Sequence, residues 1–377
     1  MSWVLPDERW VLHAAPVLGN ITDRWIDLQA RGTDRYASRL LGGSVAAGAQ
    51  REPYWLVAED RLDLRLAHGW MGRSRGLTGA WLALPLRHRP PALVHAHYGP
   101  VAAEHRHLSR RLGSPLVASF YGYDATKAVY RTDRRWRRQY ERLFAEAAAI
   151  VVEGPALASR VEHLGCPAAK IHVVRLFADA AALEDCKAPK ADDFLVVAAG
   201  RLIEKKGFDT AIRAFARSLG GRSDARLLVT GGGPLEDSLR RLAASEGIHD
   251  QVIWGARLPF REFMRTIASA HLGVYPSRTA ADGDSEGGAP VTLIEAQWLG
   301  VPSLVSDHDD LPFVAAPEGS VVLPALDVEP WAEALEGLYR DSARLAGMAH
   351  SAEAFACANH SPARNVAARE AVYGTVI

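Results

Sequence analysis

Arg201 and Lys206 stand in a segment, VVAAGRLIEKKGFDTAIRAFA, whose β-branched run ends at Gly200 and whose helical pattern opens at Gly207. A guanidinium and an ammonium beside a helix N-terminus suit a diphosphate. The guanidinium forks onto two oxygens, the ammonium adds a point charge, and the helix dipole favours the anion. Taken alone, the same residues also fit a basic surface turn. A second turn, LLVTGGGPLEDSLRRLA, places Gly231, Gly232 and Gly233 before a helix expected from Leu235. Glycines there let a ligand approach the backbone closely, although the spacing is not the dinucleotide G-x-G-x-x-G. A third, PSRTAADGDSEGGAPVTLIEAQWLG, leads an acidic loop into Gly287, Gly288 and Ala289, with Pro290 at the first helical position. Exposed N–H groups at that turn can hold a phosphate or sugar oxygen, and Glu286 and Glu295 can accept hydrogen bonds from sugar hydroxyls. Glu286 also reads as a solvated loop acid. Glu295, set among Leu293, Ile294, Ala296 and Trp298, requires a partner. His95 and His97 share one face of a strand, with no third metal ligand evident, so no metal is expected.

These groups need a scaffold that brings several turns to one edge. Short β-branched runs alternate with longer amphipathic stretches, the pattern of parallel sheets flanked by helices. Strands are expected at 92–99, 115–122 and 148–154, then at 193–200, 225–231, 251–255, 271–277 and 301–307. Helices are expected at 101–113, 207–218, 235–246, 261–270, 291–299 and 330–340. In an open sheet of this kind, turns at the carboxyl ends of the strands bind ligands. The stretch 178–193 carries no strand pattern and reads as a linker, and Ser361-Pro362 opens a terminal helix.

The chain's 377 residues accommodate two domains, and 48% apolar residues can give each its own core. No apolar stretch is long enough to span a membrane. Asp7, Glu8 and Arg9 fall where a signal peptide would be apolar, so a cytoplasmic location is expected. Cys166, Cys186 and Cys357 match no disulfide or metal spacing. The zero net charge conceals an imbalance: residues 1–185 hold 25 Lys and Arg against 19 Asp and Glu, the remainder the reverse. Part of the excess is the run Arg131, Arg134, Arg135, Arg137 and Arg138 around Trp136. It fits a solvated helix face or an anionic partner such as a membrane surface; nothing else supports nucleic acid.

Residues from about 195 to 330 resemble the donor domain of family 4 glycosyltransferases, which have the GT-B fold. GRLIEKKGFD is similar to that family's phosphate-binding signature, and SEGGAPVTLIEAQWLGVPSLVSDHDDLP to its glutamate motif, most like the exopolysaccharide-assembly branch. The first half is similar more loosely, through LVHAHYG, PLVASFYGYD and VVEGPALASRVEHLG. The resemblance implies an α/β, GT-B chain: an acceptor domain of residues 1–180 with 358–377, a donor domain of 190–357, a cleft between them, and a terminal helix crossing back. It implies transfer from a UDP- or GDP-sugar to a hydroxyl acceptor, with anomeric configuration retained and no metal required. Arg201 and Lys206 would hold the diphosphate, Glu286 and the backbone of Gly287 to Ala289 the sugar, and Glu295 the ribose. Gly231 and its turn, with Trp254 to Leu258, would line the nucleoside pocket, and Gly19 would approach the diphosphate from the other domain.

The chain departs from the family pattern twice. Eight residues, not seven, separate Glu286 from Glu295, a difference expected to bulge the loop rather than shift the helix. Tyr121 occupies a turn where many members carry a histidine near the reacting centre, and His95 or His97 could substitute for it. Asp282-Gly283-Asp284 spells the D-x-D of metal-dependent glycosyltransferases of another fold and is read here as an acidic loop. The alternatives are a non-catalytic nucleotide-sugar-binding subunit, prompted by these departures, and a GT-B epimerase or phosphorylase.

Overall fold

The computed structural model describes residues 5–6, 8–19, 24–58, 82–255 and 258–377. They form two compact units, residues 1–174 with 363–377, and residues 175–362. The first is built on β1 (Trp10–Ala14), β2 (Val17–Leu18), β3 (Ala37–Gly42), β4 (Ser44–Val45), β5 (Trp55–Val57), β6 (Leu93–His97), β7 (Leu116–Ser119), β8 (Ala149–Val152) and β9 (Ile171–Val173). Seven of these make a parallel sheet in the order β5-β3-β1-β6-β7-β8-β9, and β2 pairs with β4. The second contains β10 (Phe194–Ala199), β11 (Ala225–Thr230), β12 (Val252–Gly255), β13 (Leu272–Tyr275), β14 (Ser303–Ser306) and β15 (Ser320–Leu323), in the order β12-β11-β10-β13-β14-β15. Each order runs outward one way and then reverses, at β1/β6 in the first unit and at β10/β13 in the second. Such a reversal opens the crevice in which doubly wound sheets bind ligands.

The strands are apolar runs because helices cover both faces of each sheet. The helix Phe208–Leu219 shows how that cover is made: Phe208, Ile212, Phe215 and Leu219 recur at helical spacing and are all buried. Each contributes about 2 kcal/mol by burial. They share a core with Trp331 and Leu335 of the helix Val328–Arg340.

Several strands end one or two residues sooner than their apolar runs, because the last residues turn toward the next helix. The stretch read as a linker holds a short helix, Ala180–Glu184, capped by the Asp179 carboxylate on Ala182 N–H and anchored by buried Leu183. The terminal helix, Pro362–Val376, packs on the first unit. Glu370 accepts from the Asp34 and Arg35 amides at 2.7 and 2.9 Å, and Arg369 donates to Gln29 at 3.0 Å. Among the described residues, no helix is long and apolar enough to cross a membrane.

Candidate active site

Three turns of the second unit meet at the carboxyl edge of its sheet. Gly200 follows β10 and Gly231 follows β11, and their backbones touch so closely that a Cβ on Gly231 (φ +128°) would collide with the Gly200 carbonyl oxygen. Leu202 N–H donates to the Gly232 carbonyl and Leu235 N–H to the Leu202 carbonyl, at 3.0 and 3.1 Å, which locks the two turns together. Gly207 (φ +66°) caps the helix Phe208–Leu219 and lies against the Pro276 carbonyl beyond β13, where no side chain would fit. The glycines thus join strand ends on both sides of the β10/β13 reversal.

The charged groups sit on this frame. Lys206 Nζ meets Glu286 Oε1 at 2.5 Å, both side chains largely buried. The other carboxylate oxygen, Oε2, is buried with no hydrogen-bond partner among the described residues. Burial alone would raise the Glu286 pKa, but the ammoniums of Lys206 and Lys205, then Arg201, outweigh it and hold the carboxylate below its ordinary range. Burial brings Lys206 below its usual value, against the pull of Glu286. Arg201 is exposed. Glu286 is therefore a buried, ion-paired carboxylate rather than a solvated loop acid.

The acidic loop is more ordered than its composition suggests. Asp284 is buried and pairs with Lys205 Nζ at 3.0 Å, and the same ammonium donates to the Ser285 carbonyl at 2.9 Å. Asp284 is thus committed to a lysine and is not a solvated member of a D-x-D. Asp309 Oδ2 accepts from Ser285 Oγ at 2.5 Å and from Gly287 N–H at 3.0 Å, which fixes the loop on both sides of Glu286. Gly287 has φ +67°, and Gly288 N–H donates to the Glu286 carbonyl at 2.7 Å, so the extra residue is taken up in a tight turn before Pro290. Ala289 is half-buried beside it. Glu295 is buried in the second turn of the helix Val291–Trp298, near Tyr275, whose pKa is raised by burial and by the Glu295 charge. Trp254, half-buried, lies under the Arg240 guanidinium at 4.6 Å. Leu258 is half-buried as well, while residues 256–257 between them lie outside the described residues. Lys205 and Asp309 were not singled out in the sequence, where only their neighbours in EKKG and SDHDD point to them, and Asp284 was read only as part of an acidic loop.

In the first unit a polar cluster lies at the β1/β6 reversal. His13 of β1 is the register partner of His95 on β6, and His97 stands two residues further on the same face. The sequence offered no third ligand for His95 and His97; the fold supplies His13, with one nitrogen from each ring within 4.8 Å of the others. All three rings are fully buried and their pKa values lie well below the ordinary range, His97 at about 3, first through burial and further through the Arg369 charge. A divalent cation here would face that same arginine, with no negative charge among the three ligands to offset it. The hydrogen bonds run elsewhere. His95 contacts Tyr373 Oη at 2.6 Å and Ser119 Oγ at 2.7 Å. His97 Nδ1 contacts Tyr121 Oη at 2.7 Å, and its Nε2 contacts His13 Nδ1 at 3.0 Å. Asp124 ties down the Tyr121 turn by accepting from the amides of Gly99, Tyr121 and Gly122. Gly19 follows β2 with φ +69°, in this unit and beside Trp55.

Comparison with known proteins gives the same picture. The family model for glycosyl transferases group 1 matches residues 183–355, and that for the glycosyl transferase 4-like domain matches 16–176. WcaL of Escherichia coli (strain K12), named as a colanic acid biosynthesis glycosyltransferase, is 32% identical over 331 residues, 86% of this chain and 79% of that protein. The amylovoran biosynthesis glycosyltransferase AmsK of Erwinia amylovora is 30% identical over 58% of this chain and 54% of its own length. The structure of Anabaena Alr3699/HepE in complex with UDP superposes with a TM-score of 0.75 at 15% identity, covering 98% of this chain and all of that one. The lipopolysaccharide outer core galactosyltransferase WaaB gives 0.70 at 13% identity over 98% of this chain and 100% of its own. At such identities these two speak for the fold. The chain belongs to the family 4 glycosyltransferases, enzymes of the GT-B fold, and its relatives include those of exopolysaccharide biosynthesis.

Proposed function

We propose that the chain transfers a sugar from a nucleotide diphosphate sugar to a hydroxyl acceptor with retention, residues 175–362 holding the donor and the first unit the acceptor. The observation that carries this reading is the orphan Oε2 of Glu286. It is a buried charged acceptor that needs a donor, beside Lys206 and Arg201, cations suited to a diphosphate. A hexose linked to a diphosphate offers hydroxyls at one end and anionic oxygens at the other. Arg201, Lys206 and the N-terminus of the helix Phe208–Leu219 stabilise charge developing on the leaving diphosphate. The acceptor oxygen bonds to the anomeric carbon as the bond to the diphosphate oxygen breaks, and the acceptor proton leaves with the diphosphate. Glu295 takes the ribose hydroxyls, and the Gly231–Gly232 turn with Trp254 and Leu258 faces the base. UDP- and GDP-sugars are the donors to try first. The exposed arginines from Arg131 to Arg138 give the first unit a surface for an anionic lipid-linked acceptor or the membrane that carries it.

A thermal-shift screen of nucleoside diphosphates and their sugars tests the reading. A true donor at a hundred times its Kd stabilises the protein by about 2.7 kcal/mol. If no nucleoside diphosphate or nucleotide sugar raises the melting temperature, the donor assignment is wrong.

A further inference from the structure

We propose that His13 and His97 are positioning residues that set the direction of the Tyr121 hydroxyl, so that Tyr121 donates its hydrogen to substrate. The inference rests on the reading above, in which the first unit, to which Tyr121 belongs, holds the acceptor.

The chain of contacts runs from the core outward. His13 and His97 are 0% exposed, whereas Tyr121 is only partly buried. His13 Nδ1 meets His97 Nε2, and His97 Nδ1 meets Tyr121 Oη. With both imidazoles neutral, each ring carries one hydrogen, and the chain has two possible directions. If Tyr121 donated inward, His97 Nε2–H would donate to His13 Nδ1, and the last hydrogen would sit on His13 Nε2. That atom is buried with no partner among the described residues, so the hydrogen would be an orphaned donor. In the other direction His13 Nδ1–H donates to His97 Nε2, and His97 Nδ1–H donates to Tyr121 Oη. Only a ring lone pair is then left unpartnered, and orphaned N–H groups are the rarer defect in buried sites. The outward direction frees the phenol hydrogen from His97, with the Ser119 and Gln29 side chains also near that hydroxyl.

Burial and the nearby Arg369 both disfavour an imidazolium, which would put a hydrogen on every ring nitrogen and erase the direction. His95 is not part of this chain, since its two nitrogens contact the hydroxyls of Tyr373 and Ser119. The arrangement gives Tyr121 a fixed polarity without making it a base: burial pushes its pKa well above 10.

Nitrogen NMR of the wild-type protein labelled at histidine reads the tautomers directly. The expected result is the Nδ1–H tautomer, uncommon for free imidazole, on both His13 and His97; Nε2–H on His97 overturns the proposal. Kinetics supply the second arm, with His97→Leu, Tyr121→Phe and the double variant compared at saturating donor. Each single change is expected to lower kcat about fivefold to tenfold, the worth of roughly one hydrogen bond, with donor KM unchanged. The double variant should be no slower than Tyr121→Phe alone, since both remove one device. Additive losses, or a Tyr121→Phe variant with wild-type kcat, overturn the proposal while leaving the donor assignment standing. Absence of transfer by the wild type with every donor would instead defeat the underlying reading.

Discussion

Glu286→Gln removes one negative charge from beside the Lys206 ammonium while keeping the side chain's size. In the free protein that carboxylate holds Lys206 at 2.5 Å. A diphosphate oxygen taking a normal hydrogen bond from Lys206 would come within about 5 Å of Glu286. Two like charges at that distance repel by about 3 kcal/mol at an effective dielectric of about 20. Lys205 and Arg201 also bear on this carboxylate, so about half of that is a fair expectation for the net effect. Nucleoside diphosphate should therefore bind the variant about tenfold more tightly. The nucleotide sugar shares that relief at its diphosphate, but its hydroxyl loses a charged acceptor worth about 1.5–3 kcal/mol, so its kcat/KM should gain nothing and fall by up to about tenfold. Calorimetric titration with the nucleoside diphosphate measures the first effect; a diphosphate-release assay measures the second. Equal weakening of both ligands would refute the reasoning, because it would mean that Glu286 does not lie between the diphosphate and the sugar.

Gly231→Ala adds a Cβ against the Gly200 carbonyl at φ +128° and should cost about 3–5 kcal/mol, read as a lowered denaturation midpoint with unchanged slope. Acid should destabilise the first unit through its neutral histidines. For His97, unfolded chains take up the proton near pH 6.5 and the native state only near 3, so stability present above pH 6.5 is lost as the pH falls through that window. The loss from this ring alone is about 2 kcal/mol by pH 5. Asp124, raised by burial to about 6, works the other way between pH 6 and 3.8, so comparison of His97→Leu with wild type across that range is the clean measurement. Reversing Arg134, Arg135 and Arg138 to Glu should abolish sedimentation with anionic vesicles, at about 1 kcal/mol per arginine removed, and leave binding of nucleoside diphosphate intact.

The second unit was legible in the sequence because its chemistry sits where strand patterns meet helix patterns. Gly200, Gly207 and Gly231 mark turns that only glycine can make, and Pro290 marks the start of the helix that carries Glu295. Pairing was not legible. Lys205 and Lys206 are adjacent and alike, yet one closes on Asp284 and the other on Glu286, a choice made by a loop almost 80 residues away. Asp309 braces that loop from beyond β14, a contact that no local pattern encodes. The histidine cluster shows the same limit: His95 and His97 declare a shared face, but His13 joins them only through the parallel register of β1 with β6. The terminal helix was foreseen as a helix, while its partners Asp34, Gln29 and His95 required the fold.

The donor assignment turns on Arg201, which is exposed and which no described core contact requires. The decisive measurement is release of nucleoside diphosphate from the preferred nucleotide sugar by Arg201→Ala, beside its melting curve. Loss of about a hundredfold or more in turnover, with an unchanged melting temperature, is the predicted result. Near-normal turnover in a folded variant would contradict the assignment of the diphosphate to this turn.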